Sequence, residues 1–130
     1  MHDSIVAAHR SLDGLFEITR RSLEEGLGAP AIDAFCRLRE ALEAHFEQED
    51  RLYYPPIAAL RPEARRSVQE FAASHEVFRE RFGEIGGLLE RSCFDEAGRA
   101  FAEFTEIFVL HEAAEEKLLA ELDRDVSAAR

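Results

Sequence analysis

The sequence predicts an all-α fold, an antiparallel up-down-up-down four-helix bundle built from two similar helical hairpins. Three observations carry that prediction. Glycine and proline gather in three clusters, the apolar residues between them recur at three and four positions instead of alternating, and the segments so bounded are long, alike in length and briefly connected. The chain of 130 residues has the size of one domain over 1–130, and with 46% hydrophobic and 33% charged residues it can bury a core.

The first helix is expected from about Asp3 to Glu25, with Ile5, Ala8, Leu12, Leu15, Phe16 and Leu23 on one side and Gly26-Leu27-Gly28 as its stop. A second begins near Pro30 and presents Phe35, Leu38, Leu42, Phe46 and Leu52. Pro55-Pro56 would normally end it, but Ile57-Ala58-Ala59-Leu60 favours continuation, so a kink at the prolines is expected. A third starts near Pro62 and carries Val68, Phe71, Phe78, Phe82, Ile85 and Leu89. The fourth follows Asp95 as its N-cap, with Phe101, Phe104, Phe108, Leu118 and Leu122 inward.

Composition excludes several functions. Sixteen Lys and Arg against 27 Asp and Glu give a formal charge of -11, which repels nucleic acid and anionic membrane surfaces. No segment approaches the length of an apolar membrane span and no export signal is visible at the N-terminus, so a cytoplasmic protein is expected. Cys36 and Cys93 form no Cys-x-x-Cys pair and read as small buried apolar residues.

The five histidines are informative because four of them repeat. His9 and His75 are 66 residues apart, as are His45 and His111, and Glu49 and Glu115 each follow the second histidine of a half by four. Positions i and i+4 share a helix face, so each His-x3-Glu presents two ligand atoms in one direction. The 16 residues from His9 to Glu25 climb roughly 24 Å, and the 15 from Pro30 to His45 descend roughly 22 Å, which brings both histidines to one level. Similar reckoning places His75 and His111 in the same layer.

Four imidazoles and two carboxylates meeting in a bundle interior require partners. A pair of divalent ions satisfies them together, its charge met by the glutamates and a bridging hydroxide, and iron suits this nitrogen and oxygen mixture best. The Glu-x-x-His of ferritin-like di-iron proteins is absent, since Val6, Leu42, Ala72 and Phe108 stand three before the histidines. The His-Glu-x-x-His of zinc proteases fails at Arg79 and Glu115.

The stretches His45-Phe46-Glu47-Gln48-Glu49-Asp50-Arg51-Leu52-Tyr53-Tyr54-Pro55 and His111-Glu112-Ala113-Ala114-Glu115-Glu116-Lys117-Leu118 resemble the second-helix and fourth-helix motifs of the hemerythrin-like, or HHE cation-binding, family. The resemblance covers essentially the whole chain. It implies a non-haem di-iron site, oxo- or hydroxo-bridged, with His9 and His45 on one iron, His75 and His111 on the other, and Glu49 and Glu115 bridging. Zn or Mn could substitute. It implies further that the reduced pair binds O2, NO or a related small oxidant, in a monomer or homodimer. A catalytic role, peroxide or NO reduction, is the less favoured expectation, because no separate substrate pocket or acid-base pair is visible.

Oxygen-carrying hemerythrins have a fifth histidine where this chain has Arg79, and a guanidinium cannot ligate a cation. Loss of that ligand resembles members linked to iron sensing, nitric oxide response or iron-centre repair. The alternative function is therefore an iron donor or store acting through an iron-acceptor protein. Asp13, the repeat counterpart of Arg79, is expected to pair with it above the site. Symmetry favours Glu115 over Glu116 as the bridge, and Tyr53, one turn beyond Glu49, could donate to it.

Overall fold

A computed structural model describes residues 2–26 and 28–128, with side chains as far as residue 124. Helix α1 runs His2–Glu24, α2 Gly28–Gln48, α3 Tyr54–Leu60, α4 Arg65–Glu90 and α5 Phe94–Ala128. A π-helical turn, Glu49–Tyr53, joins α2 to α3, and a 3-10 turn, Pro62–Ala64, leads into α4. The stretch α2–π turn–α3 serves as one arm, so the bundle has four arms, with α1 against α2 and α5, and α4 against α5, α2 and α3. No strand occurs among the described residues, and no helix is long and apolar enough to cross a membrane.

The predicted helices are present with small shifts at their ends. Gly26 takes φ 67° and its N–H reaches the Leu23 carbonyl at 3.1 Å, the left-handed stop expected after α1. α4 stops without glycine: Ser92 adopts φ 59°, and the N–H groups of Ser92 and Cys93 bond the carbonyls of Leu89 and Leu88 at 3.0 and 2.8 Å. Asp95 lies inside the first turn of α5, so it complements the helix dipole there and is not the N-cap.

The irregular turn in the second arm falls before the prolines, not at them. Pro55 and Pro56 have no N–H to return to carbonyls four residues back, and the chain accommodates them by widening the preceding turn: the Tyr54 N–H bonds the Glu49 carbonyl, five residues back. One extra residue rotates the remainder of the arm by about 100°. Leu52, expected inward, is consequently turned to solvent at 62% exposure, while Tyr54 and Ile57 are buried.

Two apolar clusters divide the interior. The larger holds Leu12, Phe16, Phe35, Phe46, Phe78, Phe82, Phe104 and Phe108, and the smaller holds Ile5, Tyr54, Ile57, Val68 and Leu119. Phe104 sits among Phe16, Phe78, Phe82 and Phe108, with ring centroids 4.5–6.1 Å apart. Gly86 lets α4 approach α2 closely, since a Cβ there would meet Arg39 Nη1 at 3.2 Å and Phe35 Cε1 at 3.5 Å. Cys36 is exposed, contrary to expectation, because it falls on the outward face of α2 between the inward Phe35 and Leu38; Cys93 is half-buried.

Candidate metal centre

Between the two clusters lies one polar layer. His9 enters it from α1, His45 from the end of α2, Glu49 from the π turn, His75 from α4, and His111 and Glu115 from α5. His9, His45, Glu49, His75 and Glu115 are buried, and the His111 side chain is 7% exposed. All six residues that the repeat singles out are therefore brought together.

Their arrangement is nearly two-fold. The rings of His9 and His45 stand 5.3 Å apart at 68°, and those of His75 and His111 stand 5.4 Å apart at 64°. Ligand atoms of His9, His45, Glu49 and Glu115 fall within 4.8 Å of one another, as do those of Glu49, His75, His111 and Glu115. Two four-residue groups thus share the same two carboxylates.

An acidic residue follows each shared glutamate and holds a histidine from the opposite half. The His75 Nδ1–H donates to Asp50 at 3.0 Å, and the His9 Nδ1–H donates to Glu116 at 3.0 Å. Each bond fixes a ring and directs its Nε2 into the layer. Glu115 itself enters the layer, whereas Glu116 serves from outside it.

Tyr54 is the residue that the sequence reading missed. The π turn puts it where Tyr53 would stand in a regular helix, and its hydroxyl donates to Glu115 Oε2, with His75 Nε2 3.4 Å away. Tyr53 instead lies near Gln48, whose amide donates to its hydroxyl at 3.5 Å. The expected pairing of Asp13 with Arg79 is also absent. Arg79 bonds Glu43 at 3.1 Å, pairs Glu76 and approaches Asp50 at 3.9 Å. Asp13 lies on the other face, in the α1–α5 groove beside Glu112.

Burial governs the protonation states of the metal-free layer. It pushes the His45 and His75 imidazoles down to about 4 and lowers His111, leaving neutral rings with lone pairs. Burial pulls His9 down too, but its hydrogen bond to Glu115 and the nearby Glu112 and Glu116 outweigh this and raise it. Burial, reinforced by the adjoining Glu115, drives the Glu49 carboxyl well above its ordinary value. For Glu115 the His9 hydrogen bond, the neighbouring protonated Glu49 and the Tyr54 hydroxyl overcome the same burial and hold the carboxyl below its ordinary value. One carboxyl is protonated and the other ionised, as two buried carboxylates at one site require.

Both Glu49 oxygens and His111 Nε2 remain buried with no hydrogen-bond partner among the described residues. Neighbouring nitrogens approach Glu49 Oε1 only at 3.2 and 3.3 Å, from His75 and His45. Such orphaned donors and acceptors are costly in a dry interior, and a pair of divalent cations resolves all of them at once. The residues fit a bound metal.

The sequence matches the family model for the hemerythrin HHE cation binding domain over residues 1–122. This chain belongs to that family. Comparisons with curated proteins and with solved structures each give no significant match. Membership in the HHE family agrees with the bundle and with a cation-binding role, and the paired His/Glu groups could hold a metal ion.

Proposed function

We propose that this HHE protein holds two iron ions in the layer, one on His9 and His45 and one on His75 and His111, with Glu49 and Glu115 bridging, and that it binds O2, NO or a related small oxidant. The observation that supports this most is that the two four-residue groups share both glutamates, since a pair of carboxylates common to two donor sets suits two ions a few Å apart. Bound iron would supply an open coordination position, and the histidine and carboxylate donors would leave room for one because Arg79 replaces a further imidazole.

The remaining work falls to this chain's residues. Asp50 and Glu116 set the ring orientations of His75 and His9. Phe46 stacks on His75 at 4.3 Å, while Phe78 and Phe71 stand edge-on to His111 at 5.0 and 5.4 Å, a hydrophobic jacket that excludes water. The Tyr54 hydroxyl keeps Glu115 ionised and oriented.

Exposure of anaerobic, iron-loaded protein to O2 and, separately, to NO tests the reading. The expected result is an absorption change with each gas or with one of them, at constant iron content. Iron that is unresponsive to both but passes readily to an added apo-protein would instead support an iron donor. That second reading draws on the α1–α5 groove, which reaches His9 from the surface.

A further inference from the structure

The 66-residue repeat that builds the layer breaks down beside it, and three of the breaks fall together. In the half where α2 meets α4, Phe46 follows His45 and covers His75, and the Arg79 guanidinium lies 5.6 Å over the Phe46 ring while bonding Glu43 at 3.1 Å. The counterparts where α1 meets α5 are Glu112 for Phe46, Asp13 for Arg79 and Val109 for Glu43. An aromatic cover and its cationic clasp are replaced by two carboxylates.

A groove of about 370 Å³ opens at that place, lined by His9, Asp13, Glu112 and Glu116 among others, its three carboxylates set against one guanidinium, that of Arg10. Glu112 is only 8% exposed, and its Oε2 is buried without a hydrogen-bond partner, 3.5 Å from His9 Nδ1. A carboxylate oxygen held in that condition, on the wall of a groove, is a vacant ligand for a cation. His9 forms the floor: its Nδ1 faces Glu112 and Glu116, and its Nε2 lies 3.0 Å from Glu115 inside the layer.

We propose that this groove is the port by which a hydrated divalent cation enters and leaves the layer, drawn in by Asp13 and Glu116 and handed past His9 by Glu112. The proposal rests on the layer being a metal centre. A divalent ion surrenders its water only where oxygen ligands replace it step by step. The apolar clusters above and below the layer offer none, and Phe46 closes the opposite face. The opposite face also carries carboxylates, but Glu43, Glu76 and Asp50 there are engaged by Arg79, whereas on the Glu112 side the oxygens line a groove from solvent to ligand.

Cobalt(II) uptake by metal-free protein, followed by stopped-flow absorption, and cobalt release to a chelator test this. In Glu112→Gln both rates should fall about tenfold, the scale on which a focused acidic cleft speeds cation capture, with cobalt per chain and affinity unchanged. Asp13→Asn should slow uptake less, and Glu43→Gln on the closed face should leave both rates as in the parent. Glu112→Phe, which copies the closed half, should slow both further. Rates for Glu112→Gln within twofold of the parent, or equal slowing by Glu43→Gln, would overturn the port. A large loss of affinity in Glu112→Gln would also overturn it, making Glu112 a ligand of the layer. A parent chain that binds no cobalt would refute the metal centre itself, an outcome separate from unslowed variants of a parent that binds it.

Discussion

Asp50 and Glu116 should control the two metal positions separately. Each accepts one Nδ1–H, from His75 and His9 respectively, at 3.0 Å. Carboxylates that orient a ligating histidine typically contribute 10- to 100-fold in metal affinity, about 1.4–2.8 kcal/mol. Here the side chains are 32% and 34% exposed, so water can replace part of the lost bond, and the lower figure of about tenfold applies. Asp50→Ala should weaken only the His75/His111 position, turning a cobalt titration followed by absorption from one phase into two. Asp50→Asn keeps a carbonyl acceptor and should lose less, while Glu116→Ala should produce the same split through the other position. A single-phase titration with affinity within twofold of the parent for both alanine variants would refute the orienting role. Equal weakening of both positions by Asp50→Ala would refute the assignment of one carboxylate to one ion.

The same geometry sets further outcomes. Glu49→Met should abolish binding of the second ion yet raise the melting temperature of the metal-free protein, because it removes two unpartnered buried oxygens whose burial costs about 1–3 kcal/mol. Replacing Arg79 with His should tighten metal retention, measured as slower release to a chelator; unchanged retention would count against the missing-ligand argument. In the metal-free protein, as the pH drops from the ordinary histidine value of 6.5 toward about 4, the unfolded chain protonates His45 and His75 before the folded one does, and their contribution to stability is lost. Above the ordinary carboxyl value of 4.5 the unfolded chain ionises Glu49 and Glu112 while the folded one keeps them protonated, Glu112 to about 7 and Glu49 well beyond it, which opposes the histidine contribution below 6.5 and makes stability decline with rising pH above it. Bound metal should abolish that alkaline decline, and thermal melts across the pH range with and without metal would show whether it does. Away from the site, Ser92→Gly should stabilise by about 1 kcal/mol in chemical denaturation by relieving a left-handed residue with a side chain.

The layer was legible in the sequence because side chains on a helix obey its period: a four-residue step within α2 to the π turn and within α5, and a 66-residue step between hairpins, leave few other arrangements for His45, Glu49, His111 and Glu115. The same repeat carries a further signal. Asp50 and Glu116 are also 66 apart and both acidic, and they are the two residues that hold His75 and His9. What misled was taking repeat partners as contacts. Asp13 and Arg79 correspond under the two-fold, and for that reason they sit on opposite faces of the layer, with Arg79 drawn to Glu43 and Glu76. Tyr54 and Leu52 were hidden by the π turn, whose extra residue no apolar period announces; the two prolines beyond it were the available warning.

Whether Glu49 and Glu115 join two ions into one centre is decided by iron analysis combined with Mössbauer spectroscopy of the oxidised, iron-loaded chain. Two irons per chain, magnetically coupled in the parent and uncoupled or reduced to one in Glu49→Ala, is the predicted result. One iron per chain, or two irons without coupling in the parent, would contradict it.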